Sequence, residues 1–488
     1  MNDDLRERIA VRKRAEIDQK LAGIRSEFAH WIAETGKGRP LRKHQSQIQR
    51  LTDQLGGMAD GVANKVKDLP ADSDTLLAHS RSLQLRILEV HRLWDYFRSK
   101  LSLRYVTGLA DYLAAADDLA WECYEPVRAA ARRAEEQAGV RAAARPAEEQ
   151  AGVRAAPLIF LTGEFSPYTH ARAGQYEVES IPDVLDSEEF QAVAAALPVP
   201  VIGVPWYQVS HLPDAPLICH EIGHDLEAEL ALTQTMQGHL ASALNRLDDY
   251  QRAVAWDTWR PEIFADLYGV LCTGPAFVAS MSDLLAADPV EIADEAQVAA
   301  AWQAHPPAAV RMRLMTHALT LQGFEDEGAQ LRTAWETVFP LPAQNKYLDD
   351  APGIVAELWN GKYPELGKRS LPAALSFTAQ QQDYARAVQE GVLAGEPPQV
   401  NDIRCLIAAA RLAFDSDPEA YHHPKLDKTA AQELILQHIL SLRDNAPRHA
   451  EIDSSPGTEA DRAAGEILLD RLERAIDARA AGIPTDGG

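Results

Sequence analysis

Cysteine is scarce in this chain, and long apolar runs are missing altogether. The four cysteines, Cys123, Cys219, Cys272 and Cys405, fall at no CxxC spacing in 488 residues. That scatter argues against a cysteine-based zinc knuckle and against a secreted disulfide framework, and it suits a reducing compartment. No run of about 18 apolar residues occurs, so no helix is expected to span a membrane. The most apolar stretch, Ala192 to Trp206, is broken by Pro198, Pro200 and Pro205. The first residues are charged from the third position and lack the apolar region of a secretory leader. A cytoplasmic location is the expectation.

Positive charge is also short overall, with a net of −24. Residues 1–105 run the other way, holding 20 Lys+Arg against 14 Asp+Glu and leaving −30 to the remainder. An acidic body of that size disfavours nonspecific nucleic-acid binding, so no nucleic-acid partner is expected. The basic segment reads as a solvated helical surface. Hydrophobic content of 46% supports a large core without staples.

What is present is mostly helical patterning. Leu5, Ile9, Ile17, Leu21 and Ile24 recur at helical spacings, and a second stretch runs from about Thr75 to Tyr105. Gly56-Gly57 and Pro70-Ala71-Asp72 read as breaks between helices. Residues 128–140 and 141–153 are a 13-residue tandem repeat differing only at Arg133 and Pro146, which reads as a surface linker. After Pro157 the texture changes. Leu158 to Thr162 reads as a strand, and Val199 to Val209 as an edge or irregular strand because of its prolines. Asp214 and Pro216 are placed to open a helix. Helices are expected at 373–393, 402–414, 428–443 and about 459–481, with a disordered tail. The expected organisation is an N-terminal helical region (1–127), a linker (128–156), a domain that contains the strands (157–340) and a C-terminal helical region (341–488). The fold class is mainly α (α+β), with a small sheet.

The chemistry concentrates between residues 219 and 317. In His220-Glu221-Ile222-Gly223-His224 the histidines are four apart, so on a helix both imidazoles project from one face and can bind one metal. Glu221 beside the first histidine can reach a water on that metal without being a ligand, and so serve as a base. HExxH alone is a moderate signal. A second helix opens at Arg260-Pro261, carrying Glu262 and Asp266 four apart on one face. One of these carboxylates can ligate zinc, and the other can accept the free ring N–H of a ligand histidine and fix its tautomer. Cys219, about 100° around the helix from His220, is expected in the core and not on zinc.

These residues resemble the gluzincin metallopeptidases. HEIGH followed by Glu262-Ile263-Phe264-Ala265-Asp266 is most similar to the minigluzincin branch, which includes the CAAX prenyl proteases and HtpX-type peptidases. His305-Pro306-Pro307-Ala308-Ala309-Val310-Arg311 matches the HPxxxxR element of that branch. The resemblance covers about residues 157–320. It implies a zincin-like core in which His220, His224 and Glu262 bind Zn2+ and Glu221 is the general base. Asp266 would orient a ligand histidine, and Arg311 would shape the site near the substrate. The membrane members carry transmembrane helices beside the motif, and this chain has none. The 38 positions from His224 to Glu262 predict an extra helical segment at about 230–250.

An oxyanion donor is also required. His305, Tyr268, Arg311 and His317 are the candidates, with His305 held between Trp302 and two prolines. His239 and His422-His423 read as surface histidines, and Tyr168 and His170 as residues near the cleft. The expected function is hydrolysis of a peptide bond in a cytoplasmic protein or peptide, the substrate strand pairing with 157–163 or part of 199–209. The helical flanks would recruit a target or a regulatory protein. Two other readings are a regulated defence or toxin-type effector protease, and a helical scaffold or sensor with a structural or degenerate zinc site.

Overall fold

The computed structural model describes residues 2–69, 72–137, 156–163, 167–169, 199–247, 249–297, 303–340, 345–423, 429–442, 459 and 461–470. The chain is mainly helical with one small sheet. Four long helices come first: α1 (Asn2–Ala33), α2 (Gln45–Asp68), α3 (Ser73–Ser102) and α4 (Ala110–Gln137). Asp72 caps α3 by accepting from the Thr75 N–H at 2.7 Å. The Gly56-Gly57 pair does not break the chain but lies inside α2. Its use is steric. A side chain at Gly57 would collide with the backbone of Arg462, and one at Gly465 with the backbone of Gln54. These glycines let residues 461–470, also helical, lie directly on α2.

The sheet has the order β1 (Leu158–Thr162), β3 (Val201–Pro205), β2 (Tyr168–Thr169). β1 and β3 are parallel, with Leu158 opposite Val201, and β2 is antiparallel to β3. β3 is thus central, not an edge. Pro200 precedes it and Pro205 ends it, so residues 201–204 keep their N–H groups for pairing. β2 occupies the other side of β3 at Ile202 and Gly203, so those two positions are closed to a substrate strand. Both faces of the sheet are covered. Leu158, Phe160 and Val201 join the core of the α1–α3 bundle, while Ile159, Ile202 and Val204 join the main core. Two-sided burial explains why these strands read as unbroken apolar runs. Arg104 ties bundle to sheet: its Nη2 donates to Ile159 O and to Asp117 Oδ1, both at 2.7 Å.

The main core gathers residues from position 112 in α4 to position 439, so the C-terminal helices share it with the HEIGH segment. α4 itself runs through residue 128 into the first repeat copy, and residues 138–155 lie outside the described residues. After a 3₁₀ segment (Leu212–Leu217) comes α5 (Ile218–Glu229), which carries HEIGH. Asp214 lies within the 3₁₀ turn and caps nothing; α5 opens four residues later with no side-chain cap. The predicted helical segment at about 230–250 is α6 (Thr233–Leu244), and a second helix, α7 (Tyr250–Thr258), follows it. Then follow α8 (Arg260–Thr273), α9 (Pro275–Leu285), α10 (Pro289–Gln297) and α11 (Ala308–Gln322).

Beyond these, α12 (Glu325–Val338) and α13 (Lys346–Asn360) lead to short α14 (Leu371–Ala374). The predicted 373–393 helix is split, its main part being α15 (Ala379–Leu393) with a Thr378–Gln381 capping box. α16 (Ile403–Ser416), α17 (Pro418–His422) and α18 (Ala431–Leu442) complete the core. The predicted 459–481 helix is described over 461–470, and the IPTDGG tail lies outside the described residues. No described helix is long and apolar enough to cross a membrane.

Candidate metal centre

Two helices build the site, and a glycine sets their distance. α5 and α8 cross where Gly223 faces Ala265; a Cβ on Gly223 would lie 2.8 Å from Ala265 Cα and 3.0 Å from Tyr268 Cβ. Pro261 stands in the first turn of α8, where its missing N–H removes no helical bond. The close crossing brings His220 and His224 of α5 onto Glu262 and Asp266 of α8, all four buried.

The three donors form a triangle. His224 Nε2 is 3.1 Å from His220 Nε2, His220 Nε2 is 3.3 Å from Glu262 Oε2, and His224 Nε2 is 3.4 Å from Glu262 Oε1. A tetrahedral ion with zinc–ligand bonds of about 2.0–2.1 Å holds its donors about 3.3 Å apart. The triangle fits that cation, and two imidazole nitrogens with one carboxylate are a donor set suited to it.

Behind the triangle stands a clamp. Asp266 Oδ1 accepts from His220 Nδ1 at 3.0 Å, which keeps a ring proton on Nδ1 and turns Nε2 toward Glu262 and His224. Arg311 of α11 grips the same carboxylate with two bonds, Nε to Oδ2 at 2.8 Å and Nη2 to Oδ1 at 2.6 Å. Burial works against charge on every member, but the partners outweigh it. His220 is raised to about 9 by Asp266 and Glu262. Glu262 is held well below the carboxylate range by the two histidines, and Asp266 is lowered by Arg311 and His220. Arg311 is raised by Asp266, Glu262 and Glu221. Metal-free, the cluster retains protons that a cation would displace.

The other predicted residues separate. Glu221 is buried next to His220, and its charge bears on Arg311. His305 stands on the solvent side of the donors, its side chain 56% exposed and its Nε2 3.6 Å from Glu262 Oε1. Trp302, expected to brace it, lies outside the described residues. Arg311 is buried, and its paired bonds go to Asp266, so it positions Asp266 rather than facing outward. Tyr268 is turned away: its hydroxyl donates to Cys123 O at 2.6 Å in the core, which removes it as an oxyanion donor. His317 lies on α11, where Arg313 of the same helix and Arg332 of α12 act on it, and it is not in the donor group. His239 packs edge-on to Tyr363 at 4.9 Å, and His422 stacks on His211 at 5.5 Å. Tyr168 is in β2, and His170 lies outside the described residues.

Cys219 is in the core as expected, but it is not alone. Cys123 and Cys272 converge on it from α4 and α8. Spacing could not reveal this, because the three are 96 and 53 positions apart in sequence. The only local hint was that Cys219 and His220 must face different ways on one helix. No known family, no curated protein and no solved structure matches the chain.

Proposed function

We propose that this chain is a zinc-dependent metallopeptidase of gluzincin type, with a zincin-like core, hydrolysing a peptide bond in a protein or peptide. The donor triangle of His220, His224 and Glu262, clamped from behind by Asp266 and Arg311, is the observation that carries the reading. His220, His224 and Glu262 would hold the zinc. When bound, zinc supplies Lewis acidity, which acidifies water and polarises a carbonyl.

The chain's own residues supply the rest. Glu221, beside the first ligand and not among the donors, takes a proton from the attacking water and returns it to the leaving amine. Asp266 keeps the His220 proton on Nδ1, and Arg311 keeps Asp266 ionised in a buried place. His305, on the open side of the donors, is the side chain best placed to donate to a developing oxyanion. Four free cysteines support a reducing compartment, the cytoplasm in this reading. The helical flanks offer surface to a regulatory protein.

The test is Glu221→Gln. The variant is expected to bind zinc like the wild type, by elemental analysis, and to lose cleavage, read as new protein termini across a proteome. Undiminished cleavage by this variant sinks the mechanism.

A further inference from the structure

A second set of ligands lies under the HEIGH helix. Cys123 of α4, Cys219 of α5 and Cys272 of α8 are fully buried, unbridged, and have all three Sγ atoms within 4.8 Å of one another. Cys123 Sγ and Cys219 Sγ lie 3.7 Å apart. Sulfurs bound to one zinc-sized ion at about 2.3 Å lie about 3.8 Å apart in tetrahedral geometry and about 4.0 Å apart in a trigonal plane. The observed spacing needs only small side-chain adjustments to meet either value.

We infer that Cys123, Cys219 and Cys272 form a three-thiolate site for a soft divalent cation of the zinc class. Two further observations favour this over three small core residues meeting by packing. The sulfurs come from three separate helices and converge on one point, as a shared ion requires. The Arg404 guanidinium acts on Cys123 and Cys272 from α16. The guanidinium offsets part of the negative charge that three thiolates bring, with Asp402 acting in the opposite sense on Cys123. Thiolate donors also select soft cations over magnesium or calcium. On loading, each S–H gives its proton to solvent as its metal–sulfur bond forms. The filled site would pin α4, α5 and α8 together directly beneath His220.

The inference uses none of the peptidase ligands. Cadmium is the probe, because thiolate–cadmium charge transfer absorbs in the ultraviolet. The full chain is refolded anaerobically with cadmium present, since a closed site fills as the chain folds. The His224→Ala variant isolates this site from the histidine centre. Both it and the wild type are expected to show the charge-transfer band, with one cadmium per chain in His224→Ala. Cys123→Ser and Cys272→Ser are expected to lose most of the band. Should either serine variant fail to fold, alkylation of wild type in intermediate urea replaces it. Three of the four cysteines should then be protected by cadmium. No band in folded wild type, a full band in folded serine variants, or equal alkylation with and without cadmium overturns the inference. Loss of cleavage in Glu221→Gln leaves every one of these readouts unmoved.

Discussion

Gly223→Ala tests whether the α5–α8 crossing sets the metal geometry. The added methyl carbon would sit 2.8 Å from Ala265 Cα, a backbone atom, and 3.0 Å from Tyr268 Cβ. Neither neighbour can rotate away, so relief requires the helices to separate by about 0.6 Å to reach ordinary contact. Overpacking of this kind costs about 1–3 kcal/mol. Alanine returns about 0.5–1 kcal/mol as the better helix former. The net expectation is a loss of about 1–2 kcal/mol in the metal-free protein. The effect on zinc is more specific. Two edges of the donor triangle, His220–Glu262 at 3.3 Å and His224–Glu262 at 3.4 Å, cross between the helices, whereas the His–His edge lies within α5. Separation opens two edges and leaves the third, so zinc affinity should fall about tenfold or more, or about 1.4 kcal/mol. Urea unfolding of metal-free protein and competition with a chromophoric chelator measure the two effects. Gly238→Ala, inside α6 with open space around it, is the control and should be neutral or stabilising. The reasoning fails if Gly223→Ala matches that control in stability and binds zinc as tightly as the wild type.

Asp266→Asn removes the carboxylate that fixes the His220 tautomer and pairs with Arg311; chelator competition should show zinc binding weakened about 10–100-fold. Lys100 is pushed down to about 7 by burial, which outweighs the opposing charge of Asp95. Because the folded state disfavours this ammonium, the penalty is complete below about pH 7 and disappears as pH rises toward 10.5. Lys100→Met should therefore stabilise the protein more at pH 6 than at pH 10, by at least about 1 kcal/mol in denaturant titrations.

The candidate metal ligands were legible because the information is local. His220 with His224, and Glu262 with Asp266, each need only the helical repeat to share a face. That the two pairs meet depends on Gly223 opposite Ala265, a contact between residues 42 positions apart that no periodicity encodes. The same limit hid the cysteine cluster and misread Gly56-Gly57. The glycine pair looks like a turn until a partner helix some 400 residues later explains Gly57. β3 was mistaken for an edge because prolines were counted without knowing that they fall at its ends. Tyr268 reads as a possible oxyanion donor in the sequence, yet the helix turns its hydroxyl into the core.

The seating of residues 461–470 on α2 has a consequence for how the protein is made. Gln54 Nε2 donates to Asp461 Oδ1 at 3.4 Å, and Leu468 and Leu469 are buried in the bundle core. At a synthesis rate of about 5–20 residues per second, about 20–80 seconds separate the emergence of α2 from that of its covering helix. Throughout that interval the ribosome holds a bundle with an uncovered apolar seam. A nascent chain stalled before residue 461 should therefore recruit chaperones that the released chain does not.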